Sequence, residues 1–293
     1  IACVSMEARK CSIKPMDPRV HQVRPHEGQS LVAERITSIM ANSDILKSHT
    51  HCERVQDAYS FRCIPQVHGA VLESYRKLSN TLDIEINSAT DNPLIFPNPK
   101  NPGVGEVVSQ GNFHGEILAL CADNMSHALF ELAHIAERRI DQIVDPSRSD
   151  LPPFLAKNSG LESGMMIVHY VAAAALAEMH GRASPRSAFS TPTSGGQEDH
   201  VSMGSTACWN LLETCRHLSQ VMACELLISC EALEYRTAEP ANHVKSLYSL
   251  VRKISKPLTK DRSTSEEIEL IAKELTNGGW LARIEAECGR LPR

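Results

Sequence analysis

The chain has 293 residues, of which 42% are hydrophobic and 22% charged, with a formal net charge of -5. That apolar content can fill the core of one large domain or two, and the acidic balance leaves no basic footprint for nucleic acid or an anionic membrane. Neither a signal-peptide pattern nor an eighteen-residue apolar run occurs within the sequence, so a cytoplasmic protein with no membrane-spanning segment is expected.

In chain order, Ile1 to Lys14 opens directly in apolar, cysteine-containing sequence and reads as part of something longer. Pro15, Pro18 and Pro25 then mark an irregular connection. A helix is predicted from Gly28 to Leu46, with Leu31, Val32, Ile36 and Ile39 on one face. Glu53 to Gln66 crowds polar groups between turns, and a second long helix over Val67 to Ile86 runs into the turn cluster Asn87 to Pro93. Phe96 to Val107 is a loop with three prolines and two glycines, whose exit at Glu106 to Ser109 is the one short strand expected.

The longest apolar stripe follows, from Gln110 to Asp145. Ile117, Leu120, Cys121, Met125, Ala128, Leu132, Ile135 and Ile140 recur at three-and-four spacing, and Pro146 closes the run. Charges at Glu116, Asp123, Glu131, Glu137, Arg138 and Arg139 exclude a bilayer, so a bundle of similar helices is its expected setting. Ser147 to Ser163 connects to an alanine-rich helix over Met165 to His180. The loop Ala183 to Asp199 leads to another long helix over Val201 to Glu234. In the tail, an amphipathic pair ends in a helix opened by Thr264 and Glu267 at capping-box spacing and closed at Gly278.

The fold class expected is all-α, a long-helix bundle, divided into an irregular leading segment 1–27, a central bundle with its loops over 28–240, and a C-terminal helical pair over 241–293. Ten cysteines form no CxxC pair, and Cys121, Cys208, Cys215, Cys224 and Cys230 lie in helical patterns, so buried, reduced thiols are expected. The thirteen histidines lack zinc-type spacing, and no metal site is expected from them.

Three polar stretches lie at the ends of long helices: Gln56 to Arg62, Asn112 to Glu116, and Gln197 to His200. Taken singly, each suits a helix cap; Gln197-Glu198-Asp199-His200 suits the positive end of a helix dipole. Brought together by a bundle they would form a pocket in which Arg62 grips a carboxylate, Tyr59 moves a proton and Glu198 pairs with a cationic or ring-nitrogen group.

RVQDAYSFRC followed by PQVHG, NSATDNP, GNFHGE, AERRI, LPPFL, SGMMI and QEDHVSMG, in that order from about Pro25 to Arg236, resembles the aromatic amino acid ammonia-lyases and most closely their histidine-directed branch. The resemblance implies an all-α homotetramer whose active sites pool residues from several subunits. It also implies non-oxidative deamination of L-histidine to trans-urocanate, driven by a methylidene-imidazolone (MIO) electrophile made from an internal Ala-Ser-Gly. By the same resemblance Tyr59 and Phe113 stand near the reacting centre, Gln56 and Arg62 bind substrate, and Glu198 faces the imidazole.

Ala-Ser-Gly is absent from the 293 residues, so the resemblance implies that the electrophile comes from a missing N-terminal half of the same enzyme and that this chain alone is inactive. Residues 179–189 and the pair Gly195-Gly196 depart from the histidine-directed pattern. Two alternatives therefore stand beside a histidine lyase: a sister lyase or aminomutase acting on another amino acid, and a non-catalytic helical piece retained for assembly. The aspartase and fumarase group is disfavoured, because its Ser-Ser-x-Met-Pro-type loop is absent.

Overall fold

A computed structural model describes residues 1–48 and 55–293. The chain runs through α1 (Ala2–Arg9), α2 (Pro18–Gln22), α3 (Glu27–Met40), α4 (Asp44–Ser48), α5 (Tyr59–Arg62), α6 (Ile64–Glu85), β1 (Leu94–Pro97), β2 (Gly105–Val108), α7 (Glu116–Val144), α8 (Met166–Arg182), α9 (Gly204–Leu233), α10 (Asn242–Ile254), α11 (Ser265–Asn277) and α12 (Gly279–Cys288). The all-α class expected from the sequence is the one observed, with a single hairpin as exception among the described residues. Glu53 and Arg54, the start of the expected polar stretch Glu53–Gln66, lie outside the described residues.

Side-chain pairs along α7 fix the direction of its neighbours. Glu116 and Gly204 begin α7 and α9 beside one another, and Arg139 meets Glu225 further along, so the two longest helices run parallel. Thr81 against Cys121 and His68 against Arg139 set α6 antiparallel to α7, while Glu137 against His169 does the same for α8. The result is an up-down-up-down bundle. Where α3 crosses α6, a Cβ added to Gly28 would lie 2.5 Å from the carbonyl oxygen of Gly69, so only glycine lets these backbones approach so closely.

The core is thick at one end and thin at the other. Ile140, Ile143, Leu226, Leu227 and Ile228 are buried together with α1, α3, α10 and α11. At the opposite end, where α7 and α9 begin, the buried contact consists of Ala119, Ala122 and Ala207. Next to this thin end Phe113, Ile117, Leu120 and Trp209 are all more than half exposed. The loops carrying Asn112 to Glu116 and Gln197 to His200 sit on that end.

Several expectations need correction. The leading segment 1–27 is not irregular: α1 is a helix buried on every side, and α2 follows it. The single expected strand has a partner, since Leu94–Pro97 pairs antiparallel with Gly105–Val108. The helix expected from Gln110 starts only at Glu116, and residues 110–115 form the loop ahead of it. The C-terminal pair gains a third helix, α12. Thr264 makes no side-chain cap, and the Glu267 carboxylate, instead of reaching back to it, accepts from Ser255 Oγ at 2.6 Å and from Arg262 Nε at 3.0 Å. Cys224 and Cys230 are buried, and burial pushes both thiols up to about 12; Cys208 and Cys215, expected inside, are exposed.

Candidate active site

Three of the recognised stretches converge at the thin end. Gln110 donates its backbone N–H to Asn92 Oδ1 at 2.9 Å and its side-chain amide to the Asp91 carbonyl at 2.6 Å, which ties the turn after α6 to the loop before α7. His114 Nε2 lies 3.2 Å from the carbonyl oxygen of His200, and the two imidazoles meet edge to face at 5.6 Å. A groove of about 530 Å³ beside them is lined by Phe113, Gly115, Leu118, Ser202, Gly204 and Trp209, among others. Phe113 stands 58% exposed on its wall.

Glu198 is exposed on the same end of the bundle, outside α9. Its carboxylate accepts from Thr193 Oγ1, and the two backbones exchange hydrogen bonds of 3.0 and 3.3 Å. Closing that small loop takes positive φ at Ser194, Gly195 and Gly196, with values of 49°, 64° and 87°. Glycine adopts such angles without steric cost, which gives the unusual Gly195-Gly196 pair a local structural reason.

Tyr59, Arg62 and Gln56 belong to a different place. Arg62 lies over the Tyr59 ring, 4.8 Å from its centroid, and Tyr59 is 73% exposed. Gln56 is exposed three residues earlier. A groove of about 550 Å³ beside Tyr59 is lined by Ser60, His134, Arg138, Asp141 and Arg148, among others. Arg62 Nε and Gln66 Oε1 are shut off from solvent without a hydrogen-bond partner among the described residues.

Glu116 and Arg138 mark the two places on α7 and are twenty-two positions apart on one helix, a separation of roughly 33 Å at about 1.5 Å per residue. One chain therefore gathers Phe113 with Glu198, and Tyr59 with Arg62, without uniting the pairs.

The second place rests on a buried ion pair that periodicity did not reveal. Arg139 and Glu225 are both 0% exposed; Arg139 Nε donates to Glu225 Oε1 at 2.5 Å and Nη2 to Oε2 at 2.9 Å. Ser5 Oγ donates to the same carboxylate at 2.6 Å. The remaining guanidinium nitrogen, Nη1, reaches the carbonyl of Ser60 and Nε2 of His68, each at 3.5 Å, and so holds the turn that displays Tyr59 and Arg62. Glu225, the one charged residue inside the apolar run ACELLISC, was the available signal, whereas Arg139 stands beside Glu137 and Arg138 and does not stand out.

Desolvation, reinforced by the adjacent Arg139 guanidinium, pushes the His68 imidazole well below its ordinary value and keeps it neutral. Unfolded, the same ring titrates near about 6.5, so its contribution to stability is present above that pH and is lost as pH falls toward the depressed folded value. Stability should accordingly decline below about pH 6.5, and His68→Gln should flatten that part of the curve. Urea midpoints measured from pH 7 downward check this; parallel curves for parent and variant would remove His68 as the source.

The two clusters lie near opposite ends of α7 in a bundle of long helices. A family model described as aromatic amino acid lyase matches residues 1–253, and the chain belongs to that family. Histidine ammonia-lyase of Myxococcus xanthus is 41% identical over 97% of this chain and 55% of its own length, and the human enzyme of the same name is 43% identical over 92% of this chain and 41% of its own. Among solved structures, histidine ammonia-lyase from Trypanosoma cruzi superposes with a TM-score of 0.87 at 38% identity, covering 98% of this chain and 53% of that one. A phenylalanine aminomutase from Pantoea agglomerans gives 0.85 at 34% identity, covering 94% of this chain and 56% of that one. The chain thus spans about half the length of the relatives it matches. No helix among the described residues is long and apolar enough to cross a membrane.

Proposed function

We propose that this chain supplies the helical-bundle portion of a histidine ammonia-lyase, which converts L-histidine to trans-urocanate and ammonia. The reading is supported by the names of its relatives and, in the structure, by one observation above the others: the candidate residues lie in two clusters roughly 33 Å apart on α7, a spacing that another copy of the chain can complete. The exposed apolar residues Ile117, Leu120, Ile167, Tyr170 and Trp209 favour a homotetramer centred on residues 110–145 and 201–234.

The β-proton of histidine is poorly acidic, so the amine must be held by an electrophile while a base takes that proton. When present, the MIO group supplies that electrophile; its Ala-Ser-Gly precursor is not among these 293 residues. The residues here fit a flat conjugated ring brought by another segment or chain, because Phe113 offers an exposed aromatic face beside the small residues Gly115, Ser202 and Gly204. Arg62 grips the substrate carboxylate through its guanidinium. Gln56 hydrogen-bonds beside it, Tyr59 moves the proton, and Glu198 orients the imidazole. A soluble, cytoplasmic setting suits this chemistry.

Purified chain 1–293 should release no urocanate from histidine and should sediment as a tetramer at micromolar concentration. Co-expressed with a relative's N-terminal half that carries Ala-Ser-Gly, it should generate the urocanate absorbance. A β-amino acid product instead would move the assignment to an aminomutase, as the Pantoea neighbour suggests. A monodisperse monomer, or no turnover of any aromatic amino acid in the completed assembly, would leave only a non-catalytic role.

A further inference from the structure

We propose that His114, Glu116 and His200 form a binding site for a divalent first-row transition-metal ion of the zinc class. One ligand atom from each side chain lies within 4.8 Å of the other two. His114 Nδ1 is 4.0 Å from Glu116 Oε2. Tetrahedral coordination at about 2.0–2.2 Å needs donor atoms roughly 3.3 Å apart, which small rotations of the two exposed imidazoles can supply.

Three features make this more than a chance meeting. Glu116 Oε2 is shut off from solvent and has no hydrogen-bond partner among the described residues, so a lone pair of a carboxylate points into the cluster unanswered. His114 Nε2 donates to the carbonyl of His200 at 3.2 Å, which places the proton on Nε2 and leaves Nδ1 as the lone-pair donor facing Glu116. Metal-bound histidines are oriented in this way, with the second ring nitrogen donating to a carbonyl. The backbone around the ligands is also fixed: His114 N–H donates to the Gly111 carbonyl at 3.0 Å, and Val201 N–H to Ser190 Oγ at 3.0 Å.

Two imidazoles with one carboxylate suit zinc, nickel or cobalt, whereas magnesium and calcium prefer all-oxygen sets. His114, in the loop before α7, and Glu116, at its first residue, lie more than eighty residues from His200, so no sequence spacing could announce the three together. An ion held there pins the loop carrying Phe113 to the loop carrying Glu198, leaving coordination positions open to solvent.

The test uses purified chain 1–293, stripped with a chelator and titrated with Co²⁺. The expected result is one Co²⁺ per chain with visible d–d absorption, displaced by Zn²⁺ but not by millimolar Mg²⁺. His114→Gln and His200→Gln should each weaken binding at least about tenfold, the scale on which metal sites respond to damaged ligand shells. Trp209 lines the adjoining groove with Gly115 and Ser202, so in Trp280→Phe, where it is the sole indole, Co²⁺ should quench its fluorescence at the same stoichiometry even if a histidine variant folds poorly. Saturation that survives both histidine substitutions in folded protein, or thiolate-to-cobalt absorption marking nearby Cys208 as the ligand, would overturn the assignment. Absence of saturable binding at millimolar Co²⁺ would do the same.

Discussion

Glu225→Ala is expected to destabilise the fold by about 3–5 kcal/mol, the cost of stranding a buried charge when its partner is removed. Arg139 has no exposure through which to recruit water, and apart from Glu225 its guanidinium contacts are long ones, 3.5 Å to Ser60 and to the neutral His68. That loss is a large share of the roughly 5–15 kcal/mol by which domains are ordinarily stable. Replacing both partners, as in Arg139→Met with Glu225→Leu, removes the desolvated charges together and should cost much less than either single change. The double variant should nevertheless free the turn that displays Tyr59 and Arg62, because Ser60 loses its guanidinium anchor. Urea unfolding of the single and double variants separates these effects. A single variant that loses less than about 1 kcal/mol, or a double variant no better than the singles, would show that the pair does not bear the stability assigned to it.

The long helices were legible because α6, α7 and the first half of α9 bury one stripe and expose another, which is what three-and-four spacing records, although residues 223–233 of α9 are buried all round. α1 was not, since every one of its residues from Ala2 to Arg9 is buried and a helix covered on all sides leaves no stripe to read. β1 was hidden by Pro93 and Pro97, which demote a strand on sequence grounds even though a short hairpin tolerates them at its ends. The polar stretches at helix ends were found by residue type, yet their partition into two distant places on α7 depends on which helices run parallel, and that is a tertiary fact. The same holds for Arg139 with Glu225 and for His114 with His200: the partner that gives each residue its meaning is eighty or more positions away.

Glu198→Gln should separate histidine from other substrates if the proposed function holds, and the structure sharpens the forecast. Two roles compete for this carboxylate: facing a substrate imidazole, or capping the helix that follows. α9 begins at Gly204, six residues later, with Met203 as its N-cap and no side-chain cap bond. Glu198 instead bonds Thr193 within an exposed loop, so its substitution should leave the melting temperature nearly unchanged. In the completed enzyme a carboxylate hydrogen-bonded to the substrate ring contributes roughly 1.5–3 kcal/mol, because one partner is ionised. Losing the charge should therefore lower kcat/KM on histidine at least about tenfold, since about 1.4 kcal/mol of transition-state binding corresponds to one factor of ten. Phenylalanine and tyrosine present no ring nitrogen to that position, so their turnover should be spared or improved. Rates on the three amino acids measured beside thermal melts decide the matter: an equal loss on all three would withdraw the histidine assignment from this residue, and a falling melting temperature would return it to a structural role.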